Sequence, residues 1–350
     1  MRLVVISILA VFILSVFIIR PTKAQEVNYT LNQFSPLSFS PASSALNDEV
    51  GISFLTQQHI IGPGTNVSIN ALNAIFPIIQ KKSDYQYLGI GASFQQQDFG
   101  ASDLLKTNRV GIAVATKIQI SKSNLLGFGI AANYINKRTS LENLTTGNQW
   151  IQEEFRFDPL ADPGEIFIRQ NISYLSIASG IKWKWLDSGQ EKAFASLNAF
   201  HLNKPTESFF QNDVKVETAY LLNLGFTLFA NEKWELIPEI VYAKYGFKNE
   251  YQIIGSIRYY FDNANPYDFI QPGSIQFLMN HSFSNNIGFG FIWHQTNFKI
   301  GGSYLLPIVP NSSLQNTFQL GVHIVIKHPE EETKVIKSEP IRRKIDLSKP

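Results

Sequence analysis

Between residues 108 and 136 the chain alternates with a period of two on either side of a short polar break. Val110, Ile112, Val114, Ile118 and Ile120 share a face, interrupted only by Thr116. Arg109, Gly111, Ala113, Ala115, Lys117 and Gln119 share the other. Ser121, Lys122 and Ser123 are too few to be more than a turn. Beyond them Leu126, Phe128, Ile130, Ala132 and Tyr134 oppose Gly127, Gly129, Ala131 and Asn133. Successive side chains of a strand point to opposite faces, so the pattern predicts a β-hairpin. Each arm runs past about ten residues, longer than the usual five or six of globular sheets. A broad apolar face backed by small, polar and charged residues suits a strand with lipid on one side and a polar lumen on the other.

The unit recurs. Val50, Ile52 and Phe54 alternate with Gly51 and Ser53, and Val67, Ile69 and Ala71 with Ser68 and Asn70. Leu88, Ile90, Ala92 and Phe94 oppose Gly89, Gly91 and Ser93. Leu175, Ile177, Ile181, Trp183 and Trp185 face away from Tyr174, Ser176, Gly180, Lys182 and Lys184. Residues 192–201, 220–228, 234–244, 249–261, 274–280, 287–293, 298–304 and 318–326 continue the series. The expected fold is all-β: a transmembrane antiparallel up-and-down β-barrel of about fourteen strands, an even number as bacterial barrels have. Barrels alternate short periplasmic turns with longer external loops. Residues 121–123, 187–191 and 230–233 read as turns on one side, and 97–107, 137–171, 202–215 and 306–316 as loops on the other. Residues 262–272 break the rule, being long where a turn belongs.

The ends differ from the middle. Arg2 followed by an apolar run from Leu3 to Ile19, then Pro21 and Thr22-Lys23-Ala24, reads as a secretory signal peptide over residues 1–24. An uncleaved anchor is the alternative. Residues 25–48, with Pro36 and Pro41, read as a periplasmic lead-in with little regular structure. The barrel is expected over 49–326 and a charged tail of mixed sign over 327–350. The tail is either solvated and disordered or a periplasmic docking peptide. An even strand count puts both termini on the periplasmic side, and the whole points to the outer membrane of a Gram-negative cell, with outer-membrane lipid against the apolar face.

Composition agrees where it speaks. The 350 residues are 44% hydrophobic and 13% aromatic, enough for interfacial girdles. Mean hydropathy is −0.04, because the apolar face is diluted by the polar one. Cysteine is absent, which excludes disulfides and thiolate metal sites, and a net charge of +2 gives no reason to expect nucleic acid. The six histidines (59, 201, 281, 294, 323, 328) have no metal-ligand spacing. Gly127-Phe128-Gly129 and Gly288-Phe289-Gly290 lack the third glycine and the helix of a dinucleotide site. Inward glycines instead suggest close packing or strand bending. Glu235 and Glu239 share a face and could do acid–base work. An ion-paired lumen lining with Lys117, Lys182, Lys184, Arg258 and Lys299 is the simpler expectation. No cofactor, metal or enzymatic activity is expected.

One segment is more specific than periodicity. His201-Leu202-Asn203-Lys204-Pro205, followed by Ser208-Phe209, resembles the PorP/SprF family of type IX secretion outer-membrane proteins. Gln33-Phe34 with Pro41-Ala42, Leu88-Gly89-Ile90-Gly91, Phe99-Gly100, Asn171-Ile172-Ser173-Tyr174 and Phe298-Lys299-Ile300-Gly301 are similar to other segments of that family, in order. The resemblance implies an accessory role without chemistry: help in export or surface attachment of a large adhesin-like substrate, of gliding or adhesion type, carrying a C-terminal sorting domain. It also implies association with a periplasmic ring lipoprotein or other type IX components, in Bacteroidetes. His201, Leu202, Asn203, Lys204, Pro205 and Phe209 are then candidates for partner contact. The plainer reading of the motif is a loop-shaping turn, since Pro205 fixes its own φ. A passive porin or small-molecule transporter, and an outer-membrane lipase, are the competing functions.

Overall fold

The computed structural model describes residues 30–326 except 48, 63–64, 81–84, 101–103, 140–146, 159, 162–169, 210–213, 262–271, 284–285 and 309–315. The expected signal peptide and tail, and nearly all of the irregular stretch at 262–272, lie outside the described residues.

Fourteen long strands form one sheet: β1 Val50–Gly62, β2 Thr65–Gln80, β3 Tyr85–Phe99, β4 Leu105–Ser121, β5 Asn124–Thr139, β6 Asn171–Asp187 and β7 Gln190–Phe200, then β8 Ala219–Phe226, β9 Trp234–Tyr245, β10 Lys248–Phe261, β11 Gly273–Ser282, β12 Asn286–His294, β13 Phe298–Pro307 and β14 Thr317–Ile326. Each pairs antiparallel with its neighbours in sequence, and β1 pairs with β14 from Val50↔Ile326 to His59↔Thr317. The ring is closed. Closure follows from the solvent: hydrocarbon offers no partner to an open edge of N–H and C=O groups.

The two faces separate as the alternation requires. Ile112, Ile130 and Leu175 are 60%, 50% and 52% exposed, while Ala113, Ala131 and Ala178 between or beside them are buried. Bulky apolar groups point outward and small ones inward. Near one end of the barrel Tyr87, Trp185, Trp234, Tyr259 and Trp293 form an aromatic belt, with the Trp234 and Tyr259 rings 4.6 Å apart. Strand β2 departs from its expected sense. Val67, Ile69 and Ala71 are the buried row, whereas Leu72 and Phe76 face outward. The register decides this, because Phe54↔Leu72 and Ile52↔Ala74 place the outward residues of β1 opposite even-numbered residues of β2.

One end, here the turn end, carries the connections at 122–123, 188–189, 227–233 and 295–297, the start of β1 and the finish of β14. The other, the loop end, carries 140–170 and 201–218. Two expected loops are shorter than expected. Strands β3 and β4 pair out to Phe99↔Leu105, so the stretch read as a loop over 97–107 is mostly strand. The first three residues of 137–171 likewise belong to β5.

The largest correction concerns residues 25–48. From Thr30 on, this segment is inside the barrel, not a lead-in outside it. It folds into three single turns, Asn32–Phe34, Pro36–Phe39 and Pro41–Ser44. Leu31, Phe34, Ala42 and Ala45 are fully buried and Leu37 and Leu46 nearly so. Burying Leu31 and Phe34 contributes about 1.5–3 kcal/mol each. A plug so close to the wall requires inward residues without side chains. A Cβ on Gly321 would strike the Phe34 ring, one on Gly89 would strike the Ser44 carbonyl, and one on Gly91 would lie 2.8 Å from Leu37. These inward glycines match the close packing expected of them.

The plug also has a direction. Asn280, near the loop end of β11, donates from Nδ2 to Thr30 Oγ1 (2.8 Å). The Leu31 N–H donates to Gln319 Oε1 (3.1 Å), near the loop end of β14. The Leu46 carbonyl accepts from Lys184 Nζ (3.3 Å), near the turn end of β6. The segment descends from loop end to turn end and there becomes β1. Ile326 finishes at the turn end, as expected for the C-terminal side. The first described residue, Thr30, does not: it lies towards the loop end, because the chain crosses the lumen once before the first strand.

Candidate functional site in the barrel lumen

Two larger cavities lie in the lumen, one towards each end of the plug. The one on the turn-end side has a volume of about 240 Å³ and lies between Asn32, Gln33, Pro36, Phe39 and Ser43 of the plug and the walls of β6 to β11. Most of the charges expected in the lumen gather here. Glu235 is 5% exposed and accepts from Arg258 Nη1 (3.1 Å), Tyr260 Oη (2.9 Å) and Thr227 Oγ1 (3.2 Å), with Lys192 Nζ at 3.9 Å. Arg258 donates from its other arm to Gln276 Oε1 (3.0 Å). A carboxylate this buried costs several kcal/mol unless paired, and here it is surrounded by donors. Glu239 is engaged differently, accepting from Asn32 Nδ2 of the plug at 2.5 Å. Lys184 pairs with Glu191 (2.8 Å) as well as holding the Leu46 carbonyl. Lys182 Nζ lies 5.5 Å from the centre of the Phe194 ring. Lys117 is buried on β4, and Lys299 stands between His294 and His323 in the register of β12 and β14. Five of the seven residues thus line or flank one chamber, and Lys117 and Lys299 sit apart from it.

At the loop end the His201–Pro205 motif solves a local accounting problem. Strand β7 stops at Phe200, but its partner β6 runs on past the last pair, Ser179↔Ala199, to Asn171. Main-chain groups of β6 on that side would be left bare, and a barrel wall requires them satisfied. The motif supplies the partners. The Leu202 N–H donates to the Ile177 carbonyl (3.0 Å). Asn203 then uses both halves of its amide, accepting from the Ile177 N–H (3.0 Å) and donating to the Leu175 carbonyl (2.7 Å). One side chain replaces the next residue of a strand.

The turn that aims Asn203 places His201 and Lys204 at φ 57° and 43°, the left-handed region that non-glycine residues rarely adopt. It is closed by the Lys204 N–H donating to the His201 carbonyl (2.9 Å), and His201 Nδ1 is hydrogen-bonded to Ser176 Oγ (2.9 Å). Burial, reinforced by the charges of Arg109 and Lys137, pushes the His201 imidazole down to about 4, so it is neutral near pH 7. Leu202, Asn203 and Lys204 are exposed, Pro205 is buried and Phe209 is half-buried. The Lys204–Glu217 pair (3.7 Å) is largely in solvent and worth little.

Beyond the motif Thr206 and Lys215 pair in an isolated antiparallel bridge, and the Glu207 N–H donates to the Val214 carbonyl (2.7 Å). Glu207 reaches inward to Lys137 Nζ (2.5 Å) and accepts from Tyr174 Oη (2.6 Å). The second cavity, about 270 Å³ on the loop-end side, is lined by Ser38 of the plug, Gln95, Arg109, Asn133, His201, Lys248 and Glu250 among others.

Glu207, Lys137, Tyr174, Arg109 and the plug were not among the sequence-derived site residues. Only the plug had left a signal: Gln33-Phe34 and Pro41-Ala42 resembled a family segment, and Leu31, Phe34 and Leu37 repeat at a spacing of three, which a lead-in has no use for. Among the described residues there is no cluster of three or more His, Asp or Glu that could hold a metal.

No curated protein matches the chain. Solved structures similar to it are barrels: the Ralstonia pickettii toluene transporter TbuX (10% identity, covering 82% of this chain and 91% of that one, TM-score 0.44), a Pseudomonas aeruginosa FadL homologue (8%, 81% and 92%, 0.41), and the KdgM porin in complex with disordered oligogalacturonate (9%, 79% and 100%, 0.37). The family model described as "Type IX secretion system membrane protein PorP/SprF" matches residues 22–324, a span that takes in both the lumen segment and all the strands of the closed barrel but the last residues of β14. The chain therefore belongs to the PorP/SprF family and is an outer-membrane component of type IX secretion.

Proposed function

We propose that this barrel is an accessory component of type IX secretion that holds a large adhesin-like substrate, through its C-terminal sorting domain, during export or surface attachment. It acts as a fixed support, and the substrate does not pass through its lumen. The observation that carries this reading is the plug: Leu31 and Phe34 are fully buried inside the barrel, and polar contacts to Gln319, Glu239, Asn280 and Lys184 tie the segment to four strands of the wall. A barrel filled by its own chain serves better as a scaffold than as a conduit. The exposed residues Leu202, Asn203 and Lys204, at the loop end, offer a contact surface. Ile326 ends β14 at the turn end, the side on which a ring lipoprotein would meet the barrel. Nothing in this role makes or breaks a covalent bond.

The test is to tag the protein at a loop-end site and recover it from cells under mild detergent. The proposal expects a large exported protein, or a ring lipoprotein, at near-stoichiometric yield, and loss of that exported protein from the surface on deletion. An unchanged surface proteome after deletion would reject it. The porin alternative makes the opposite prediction for purified protein in planar bilayers, namely steady conductance.

A further inference from the structure

The loop-end cavity holds a cation that makes no ion pair among the described residues. Arg109 projects inward from β4 into it, and its Nε is buried without a hydrogen-bond partner. Among the described residues no carboxylate lies within ion-pair distance of its guanidinium. The neighbouring cations are already engaged, Lys137 with Glu207 (2.5 Å) and Lys248 with Glu250 (2.6 Å). The residue is half-buried, and a shielded, charged N–H left unpaired is costly, while the planar fork of donors fits a carboxylate. The wall also shows how it takes such a group, because Glu207 is held between the Lys137 ammonium and the Tyr174 hydroxyl a short way above. Gln95 and Asn133 add amides beside Arg109, and Phe200, Leu221 and Tyr245 give the opposite wall an apolar surface. A volume of about 270 Å³ is small for a ligand pocket, the usual range being ~300–1,000 Å³.

We infer that this cavity is a binding site for a small carboxylate, with the acid group on the Arg109 fork and a short apolar body against Phe200 and Tyr245. The site faces the loop end, so the ligand arrives from outside the cell. Such a carboxylate is found on the terminus of a polypeptide and on an acidic sugar, and the experiment separates the two. The inference does not depend on the secretion role, since it concerns only what the cavity recognises.

Full mature protein in nanodiscs is titrated calorimetrically with N-acetyl-leucine, N-acetyl-leucinamide, glucuronate and glucose. At least one acid should bind, and its neutral counterpart should bind at least tenfold more weakly. The preferred acid identifies the source, polypeptide-like or sugar-like. Arg109→Gln should weaken the acid at least tenfold, and Arg109→Lys, which keeps the charge but loses the fork, should fall between. Folding of both variants is checked by heat-modifiable gel mobility. If a variant fails to fold, the contrast between acid and neutral ligand on the wild-type protein still decides. Failure of both acids to bind, equal binding of acid and neutral ligand, or an unchanged affinity in folded Arg109→Gln would overturn the assignment. None of these outcomes bears on whether the barrel holds an exported protein.

Discussion

Replacing Asn203 with alanine tests the idea that one side chain completes a strand. In the native wall the Asn203 amide satisfies the Ile177 N–H at 3.0 Å and the Leu175 carbonyl at 2.7 Å. A net contribution of about 1 kcal/mol per hydrogen bond gives a loss of about 2 kcal/mol if water replaces both partners. If lipid covers the gap, the bare groups cost ~1–3 kcal/mol each and the loss rises towards ~6 kcal/mol. The direct assay is hydrogen exchange at the Ile177 amide in protein reconstituted into vesicles. Since ~1.4 kcal/mol is a factor of ten, Asn203→Ala should speed exchange there by about thirtyfold or more. Asn203→Asp keeps an acceptor for the Ile177 N–H but cannot donate to the Leu175 carbonyl, so that amide should stay protected while unfolding in urea becomes easier. Unchanged protection of Ile177 in Asn203→Ala, with an unchanged urea midpoint, would refute the surrogate-strand reasoning and leave the motif as a turn only.

Three further outcomes follow from the same geometry. Phe34→Ala removes a fully buried ring and should weaken seating of the plug by about 3–5 kcal/mol; planar-bilayer recordings should be quiet for the wild type and show openings for the variant, and a quiet variant would contradict the role given to Phe34. Glu207→Gln loses the charge facing Lys137 and should leave the 201–218 loop cut by trypsin several-fold faster in intact vesicles, at Lys204 or Lys215; an unaltered rate would mean the loop is held by other contacts. The His201 imidazole, lowered to about 4 from 6.5, binds a proton more readily once the loop is open; its contribution to closure is full above pH 6.5 and is lost as pH falls towards 4, so loop stability should decline across that window, and His201→Asn, which tolerates the left-handed backbone, should flatten the dependence.

Much of the barrel was legible because its physics is local and periodic. A strand between lipid and lumen must alternate, and Ile112, Val114 and Ile118 against Ala113, Ala115 and Lys117 announce it without reference to any other part of the chain. The strand total, the antiparallel order and the membrane face follow from repeating that rule. The His201–Pro205 motif was visible as a motif, but not its purpose, since the bare edge of β6 exists only once β7 is known to stop at Phe200. Strand β2 shows where alternation fails. Its inward row is apolar at Val67, Ile69 and Ala71 while its outward row carries Ser68 and Asn70 before Leu72 and Phe76, and the row facing lipid was chosen by its register with β1.

The sequence by itself determined the closed barrel, its fourteen strands and the positions of its inward charges, because each depends on spacing along one strand. Tertiary structure alone decided that residues 30–47 fill the lumen and that Arg109 faces a cavity whose one lining carboxylate, Glu250, pairs with Lys248. Those facts join residues hundreds of positions apart, such as Leu31 and Gln319 or Phe34 and Gly321. The three-residue spacing of Leu31, Phe34 and Leu37 hints at burial but not at where: only the inward glycines around the segment, assembled from separate strands, make the space it occupies.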